Sequence, residues 1–156
     1  MSKKKKVIIA VVIIAVIIII FNVGLLAWGQ ISYGLEKSAI NSTIESFITD
    51  ISGGQYDTAY NLVADNTRAS LSSQSFAAMY KTEEMPKNSS VTSLSLISWN
   101  YDAGKLLMGT KSMNIESGKA YFKDGQYKVF GAGLYKIENV WKIESFGFYK
   151  ENQSTQ

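Results

Sequence analysis

Residues 91–149 read VTSLSLISWNYDAGKLLMGTKSMNIESGKAYFKDGQYKVFGAGLYKIENVWKIESFGFY. Aromatic and β-branched residues recur at short intervals throughout. The run breaks at Asp102-Ala103-Gly104, Ser117-Gly118, Lys123-Asp124-Gly125-Gln126 and Glu138-Asn139. Such residues fit a pleated, half-buried surface, while Gly, Asn and Asp adopt the backbone conformations of tight turns. The pattern predicts five strands, over 91–101, 105–116, 119–122, 127–137 and 140–149. Asp124-Gly125 has hairpin-turn chemistry. Gly131 and Gly133 are expected to mark a bulge or bend within one long strand. Strands in succession with short breaks form an antiparallel meander.

Working upstream, Ile40, Ile44, Phe47, Ile48 and Ile51 recur at the spacing of one helical face, which predicts a helix over 35–51. Gly53-Gly54 ends it, because glycine takes the left-handed C-terminal conformation without strain. A second helix is expected over 56–64, with Tyr56, Ala59, Tyr60 and Val63 as its apolar face and Asp57 complementing the dipole. A third is expected over 73–80, capped by Ser72 or Ser73, with Phe76, Met79 and Tyr80 facing inward. Residues 85–90 hold the single proline, Pro86, and read as a loop. Helices first and strands afterwards imply an α+β class, with about three helices on one face of a curved antiparallel sheet. About two-fifths of residues 30–156 are apolar, enough for one packed core.

Further upstream, Val7 to Trp28 is almost entirely Ile, Val, Leu, Ala and Phe, interrupted by Asn22 and Gly24. A helix of this length extends about 33 Å, against a hydrocarbon core of about 30 Å. Lys3 to Lys6 precede the run and Trp28 closes it, matching the cytoplasmic cation cluster and interfacial aromatic of a membrane span. The expected organisation is a basic cytoplasmic tail (1–6), a transmembrane helix (7–28) and a juncture between Gly29 and Gly34 (29–34). An extracytoplasmic α+β domain (35–150) and a polar tail (151–156) follow. The chain is thus expected in the plasma membrane as a single-pass protein with its N-terminus cytoplasmic. A cleaved signal peptide is the competing reading, with Ala27-Trp28-Gly29 before Gln30. Its apolar core is normally about 7–15 residues, shorter than this run.

Composition narrows the chemistry. The chain has 16 Lys and Arg against 13 Asp and Glu, and neither His nor Cys. Four of those cations are Lys3 to Lys6, so the remainder is close to neutral and has no electrostatic footprint for nucleic acid. Without Cys there are no disulfides, iron–sulfur clusters or thiol nucleophiles, and without His no Ser-His-Asp triad and few zinc sites. Glu83-Glu84 reads as a solvated loop pair rather than a metal site. Asp50, Asp102 and Glu116 are the acids nearest apolar runs, and none pairs visibly with another titratable group. No phosphate-cradling glycine loop or nucleophile elbow is present. No catalytic residue, metal or cofactor is therefore expected.

Residues 47–80, FITDISGGQYDTAYNLVADNTRASLSSQSFAAMY, resemble the opening of nuclear-transport-factor-2-like domains of the small, membrane-anchored, exported type. The resemblance is carried by Gly53-Gly54-Gln55-Tyr56, by Ala59-Tyr60, by the LSSQSF run at 71–76 and by NVWKIESF at 139–146. It covers most of 35–149 and implies a cone-like α+β fold. That superfamily hosts isomerases, dehydratases, transport adaptors and inert structural modules, so it implies no particular activity.

The aromatic residues of the strand half are the remaining clue. Trp99, Tyr101, Phe122, Phe130 and Trp141 are the candidates for a pocket or an interaction face. In 140–149, Trp141, Ile143 and Tyr149 share one parity and Val140, Phe146 and Phe148 the other, so both sheet faces are expected to carry large apolar groups. The expected function is non-catalytic: a membrane-anchored interaction or assembly module of the prokaryotic cell envelope. Its partners would be membrane lipid through 7–28, and other envelope proteins or a second copy. The layout resembles the bitopic assembly components of type IV secretion and conjugation machines, and the anchored accessory proteins of lipid-import systems. The alternative is a small-ligand-binding or enzymatic domain tethered at the membrane surface.

Overall fold

A computed structural model describes residues 3–86, 89–101 and 110–149. Within these, the side chains of 3–8, 10, 25, 26, 28–30 and 32 are not described. The expected loop at Asp102-Ala103-Gly104 and the tail 151–156 lie outside the described residues. The chain divides into two units, Met1–Glu36 and Lys37–Gln156. The elements are α1 (Lys3–Ser52), α2 (Tyr56–Asn61), α3 (Asp65–Arg68), α4 (Ser73–Lys81), β1 (Val91–Tyr101), β2 (Ser112–Phe122), β3 (Tyr127–Ile137) and β4 (Val140–Tyr149). The four strands form one antiparallel sheet in the order β1-β2-β3-β4, so the class is α+β.

In the first unit, α1 continues through 29–34, where a juncture was expected. Gly34 sits in open space, and an interior glycine lowers helix stability by only about 1 kcal/mol relative to alanine. Large apolar side chains are exposed along this unit, from Val11 (60%) to Val23 (60%). Among the described residues, no helix is long and apolar enough to cross a membrane.

In the second unit, the predicted stripe of α1 is the heart of the core. Ile40, Ile44, Phe47 and Ile48 are fully buried, and Ile51 is nearly so. Gly54 ends the helix at φ 72°, with its N–H on the Ile51 carbonyl and that of Gln55 on Asp50. The next helix stops at Asn61, short of the expected Ala64. The reason is tertiary. Val63 forms a parallel bridge with Ile143 of β4, Ala64 N–H donates to the Ile143 carbonyl at 2.8 Å, and Ile143 N–H donates to Leu62 at 2.9 Å. The short helix α3 follows, and the sequence reading did not anticipate it. Ser72 caps α4 as expected, accepting from Ser75 N–H at 3.2 Å. Phe76 and Tyr80 are buried, but Met79, expected inward, is 52% exposed.

The sheet differs from the five-strand expectation around β2, which begins at Ser112 rather than 105, with 105–109 outside the described residues. Residues 112–122 form a single strand, and Ser117-Gly118 lies in a bulge rather than a turn. Gly118 is needed for close approach, since a Cβ there would run into the Phe130 ring. The Asp124-Gly125 hairpin is present, with Gly125 at φ 85° and Gln126 N–H on the Asp124 carboxylate at 3.0 Å. Glu138 and Asn139, both at positive φ, join β3 to β4, the backbone signature of a two-residue hairpin loop.

A second bulge falls where Gly131 and Gly133 had pointed. Gly133 pairs with Ser145 and Leu134 with Ile143, which leaves Glu144 as an extra residue in β4. The extra residue changes the parity of the strand. Trp141 and Ile143 therefore share the core face with Phe146 and Phe148, contrary to the alternation expected. Tyr149 falls on the outer face.

Candidate functional site

The five aromatic candidates divide. Phe122, Phe130 and Trp141 are buried, at 3%, 0% and 2% exposure. Phe130 stacks on Phe146 with ring centres 5.5 Å apart and an 11° interplanar angle. Lys136, the cross-strand neighbour of Trp141, places its ammonium 5.9 Å from the indole centre. These three residues build the core rather than an open face. Trp99 and Tyr101 lie on the edge strand β1, half-buried, ring against ring at 6.1 Å in an edge-to-face pair. By register they face the same side of the sheet as Ile115 and Met113. The structure thus brings Trp99 and Tyr101 together and leaves the other three in separate core positions.

The concavity facing the helices is built from other residues. A groove of about 240 Å³ opens between α3, α4 and β4. Val63, Leu71, Phe76, Met79, Ile143 and Phe146 supply most of its apolar wall. Each is placed by a local device already described: the Val63 bridge, the Ser72 cap and the Glu144 bulge. Around it, Phe47 meets Phe76, Tyr80 and Phe146 at 5.9, 6.0 and 4.8 Å. Offset and edge-to-face contacts of this kind contribute about 0.5–1.5 kcal/mol each beyond area burial.

Tyr80 brings a buried polar group to this groove, which Thr67, Glu144 and Ser145 also line. Its hydroxyl donates to the Phe146 carbonyl at 3.0 Å. Burial, with the Glu83 carboxylate nearby, pushes its pKa up to about 12. The phenol is therefore a neutral donor at physiological pH. The Tyr60 hydroxyl donates to the carbonyl of Leu71, a lining residue, at 2.6 Å. As groove residues, Tyr80 and Phe146 escaped the sequence reading. Tyr80 was read as a core residue of α4, and the groove depends on a parity change in β4 that no alternation rule reveals.

Asp102 lies outside the described residues, and the other acids weighed as candidates are dispersed. Burial raises the Asp50 carboxyl above its ordinary range. Glu116 is exposed and accepts from Ser98 Oγ at 2.7 Å and Asn100 Nδ2 at 3.1 Å. Glu83 and Glu84 are exposed. Asp65 is ion-paired with Arg68, which lowers its pKa. Among the described residues, no group of three or more acids is placed to hold a metal ion.

Fold and groove together define an α+β domain of helices over one face of a four-stranded meander, with an apolar cleft at the helix–sheet boundary. No protein-family model, characterised protein or solved structure matches the chain.

Proposed function

We propose that this chain is a non-catalytic, single-pass membrane-anchored module whose α+β domain acts outside the cytoplasm, docking to proteins of the prokaryotic cell envelope. The observation that carries the anchor is the apolar surface of the first unit. Ile and Val side chains from Ile9 to Val23 are 46–65% exposed, on a helix headed by Lys3 to Lys6. Exposed apolar surface on this scale is unfavourable in water by about 25 cal/mol per Å² and is at home in lipid. Asn22 suits that setting, because its amide donates to the Ile18 carbonyl at 2.8 Å, within its own helix.

Docking rather than catalysis is favoured by the dispersal of the acids among the described residues. The small-ligand reading keeps one specific support, the apolar groove beneath Tyr80. Crosslinking in intact cells, alkaline extraction and mass spectrometry of the captured chains test the proposal. Full-length protein that resists alkaline extraction and carries reproducible envelope partners is the expected result. Protein released by alkali refutes the anchor. Protein that remains in the membrane but is captured alone refutes the docking role and favours the groove.

A further inference from the structure

The outer face of the sheet holds a second concavity, about 470 Å³, in the body of the α+β unit. Gly131 and Gly147, paired across β3 and β4, lie in its lining and leave bare backbone there. The Tyr149 ring reaches across Gly131, where a Cβ would overlap it, yet Tyr149 remains 54% exposed. It presents a broad aromatic surface fixed from below by glycine. Glu116 also lines the cleft, and it is the one charged lining residue there among the described residues. Ser98 and Asn100 each donate to a different oxygen of its carboxylate, which fixes its orientation. A carboxylate has about four acceptor positions, so about two remain for a ligand. Asn114 and Ser145 add further polar groups.

This chemistry selects by charge and shape. An anion would meet the Glu116 carboxylate with no lining cation to offset it. A purely apolar ligand would desolvate Glu116, Asn114 and Ser145 without replacing their hydrogen bonds. A pyranose ring satisfies both demands. Its C–H face lies on an aromatic ring while hydroxyls at its rim donate to the carboxylate, as charge-assisted hydrogen bonds. We propose that this outer-face cleft is a binding site for a neutral glycan, with Tyr149 as the stacking platform and Glu116 as the hydroxyl acceptor. The site goes beyond the docking role and does not depend on the anchor, so either can fail alone.

The test is calorimetric titration of the full-length protein, in a detergent without sugar, with chitohexaose and with cellohexaose. Saturable binding of at least one is expected, insensitive to salt. Tyr149→Ala and Glu116→Gln should each weaken it about tenfold, equal to about 1.4 kcal/mol. Tyr149→Phe, which keeps the ring, should stay within about threefold of the parent. Glu116→Gln leaves the glycine packing untouched and guards against misfolding of the alanine variant. The site is overturned if neither oligosaccharide binds, if Glu116→Gln and Tyr149→Ala both bind like the parent, or if binding collapses with salt.

Discussion

Thr67 Oγ1 donates to the main-chain carbonyl of Glu144 at 2.8 Å, and Glu144 is the extra residue of the β3–β4 bulge. A bulge frees backbone polar groups from the ladder, and a buried carbonyl without a donor costs about 1–3 kcal/mol. Asn66 Nδ2 reaches the Glu144 side chain at 3.3 Å, and Lys142 Nζ donates to the Asn61 carbonyl at 2.7 Å. Residues 61–67 thus complete the β4 edge where the strand changes phase.

Thr67→Val should therefore lower stability by about 1–2 kcal/mol, while Thr67→Ser, which keeps the donor, should lose less than half as much. Thermal unfolding of the two variants decides this. Equal losses would show that the methyl group, not the hydroxyl, matters at this position.

Gly118→Ala should be costly out of proportion to one methyl group. The new Cβ would overlap the Phe130 ring, which is fully buried and stacked on Phe146. Overpacking of this kind costs about 1–3 kcal/mol. The smaller side chain of Phe130→Leu should recover part of the loss in the double variant, so a double-mutant cycle should show favourable coupling. Additive losses would mean that Phe130 is not the obstruction.

Ser52, at the last turn of α1, holds the segment leading into β1. Its buried hydroxyl is shared between the carbonyls of Pro86 and Ser89, and Thr49 Oγ1 accepts from Val91 N–H at 3.2 Å. Ser52→Ala should destabilise the domain by about 1–3 kcal/mol and speed amide exchange at the start of β1. Unchanged exchange of the Val91 amide would place the control of that segment elsewhere.

Tyr80 gives the domain an alkaline limit. Burial raises the phenol pKa to about 12 from an ordinary value of about 10. The unfolded state therefore loses this proton first as pH rises. Stability from the neutral phenol is fully present below the unfolded pKa and is lost as pH climbs through the folded one. Tyr80→Phe should flatten the decline of stability above the unfolded pKa, while lowering stability at neutral pH by about 1 kcal/mol through the lost bond to Phe146. Denaturant melts across that pH window measure both effects. A decline of the same steepness in the variant would assign it to other groups.

These relationships separate what is local from what is not. The stripe from Ile40 to Ile51, the Gly54 terminus, the Ser72 cap and the Asp124-Gly125 turn were all legible in the sequence. Each depends on contacts within about four residues, which sequence spacing encodes directly. The helix was also expected to break at 29–34, and it does not, because glycine in a helix interior is a modest cost rather than a stop.

What tertiary structure decided lies where distant segments meet. Ser117-Gly118 has the composition of a turn, but Phe130 on the next strand makes that glycine a point of close approach within β2. Val63 fits a helical face, but pairing with Ile143 draws it out of the helix. In β4, one extra residue moves Phe146 to the core face beside Trp141 and turns Tyr149 outward. The sides taken by Phe146, Phe148 and Tyr149 depended on that phase. The sequence by itself determined most of the helical and strand segments, because those preferences are short-ranged. Only the assembled sheet decided which aromatic is core and which lines a cleft, because a single-residue register change reverses every side chain beyond it.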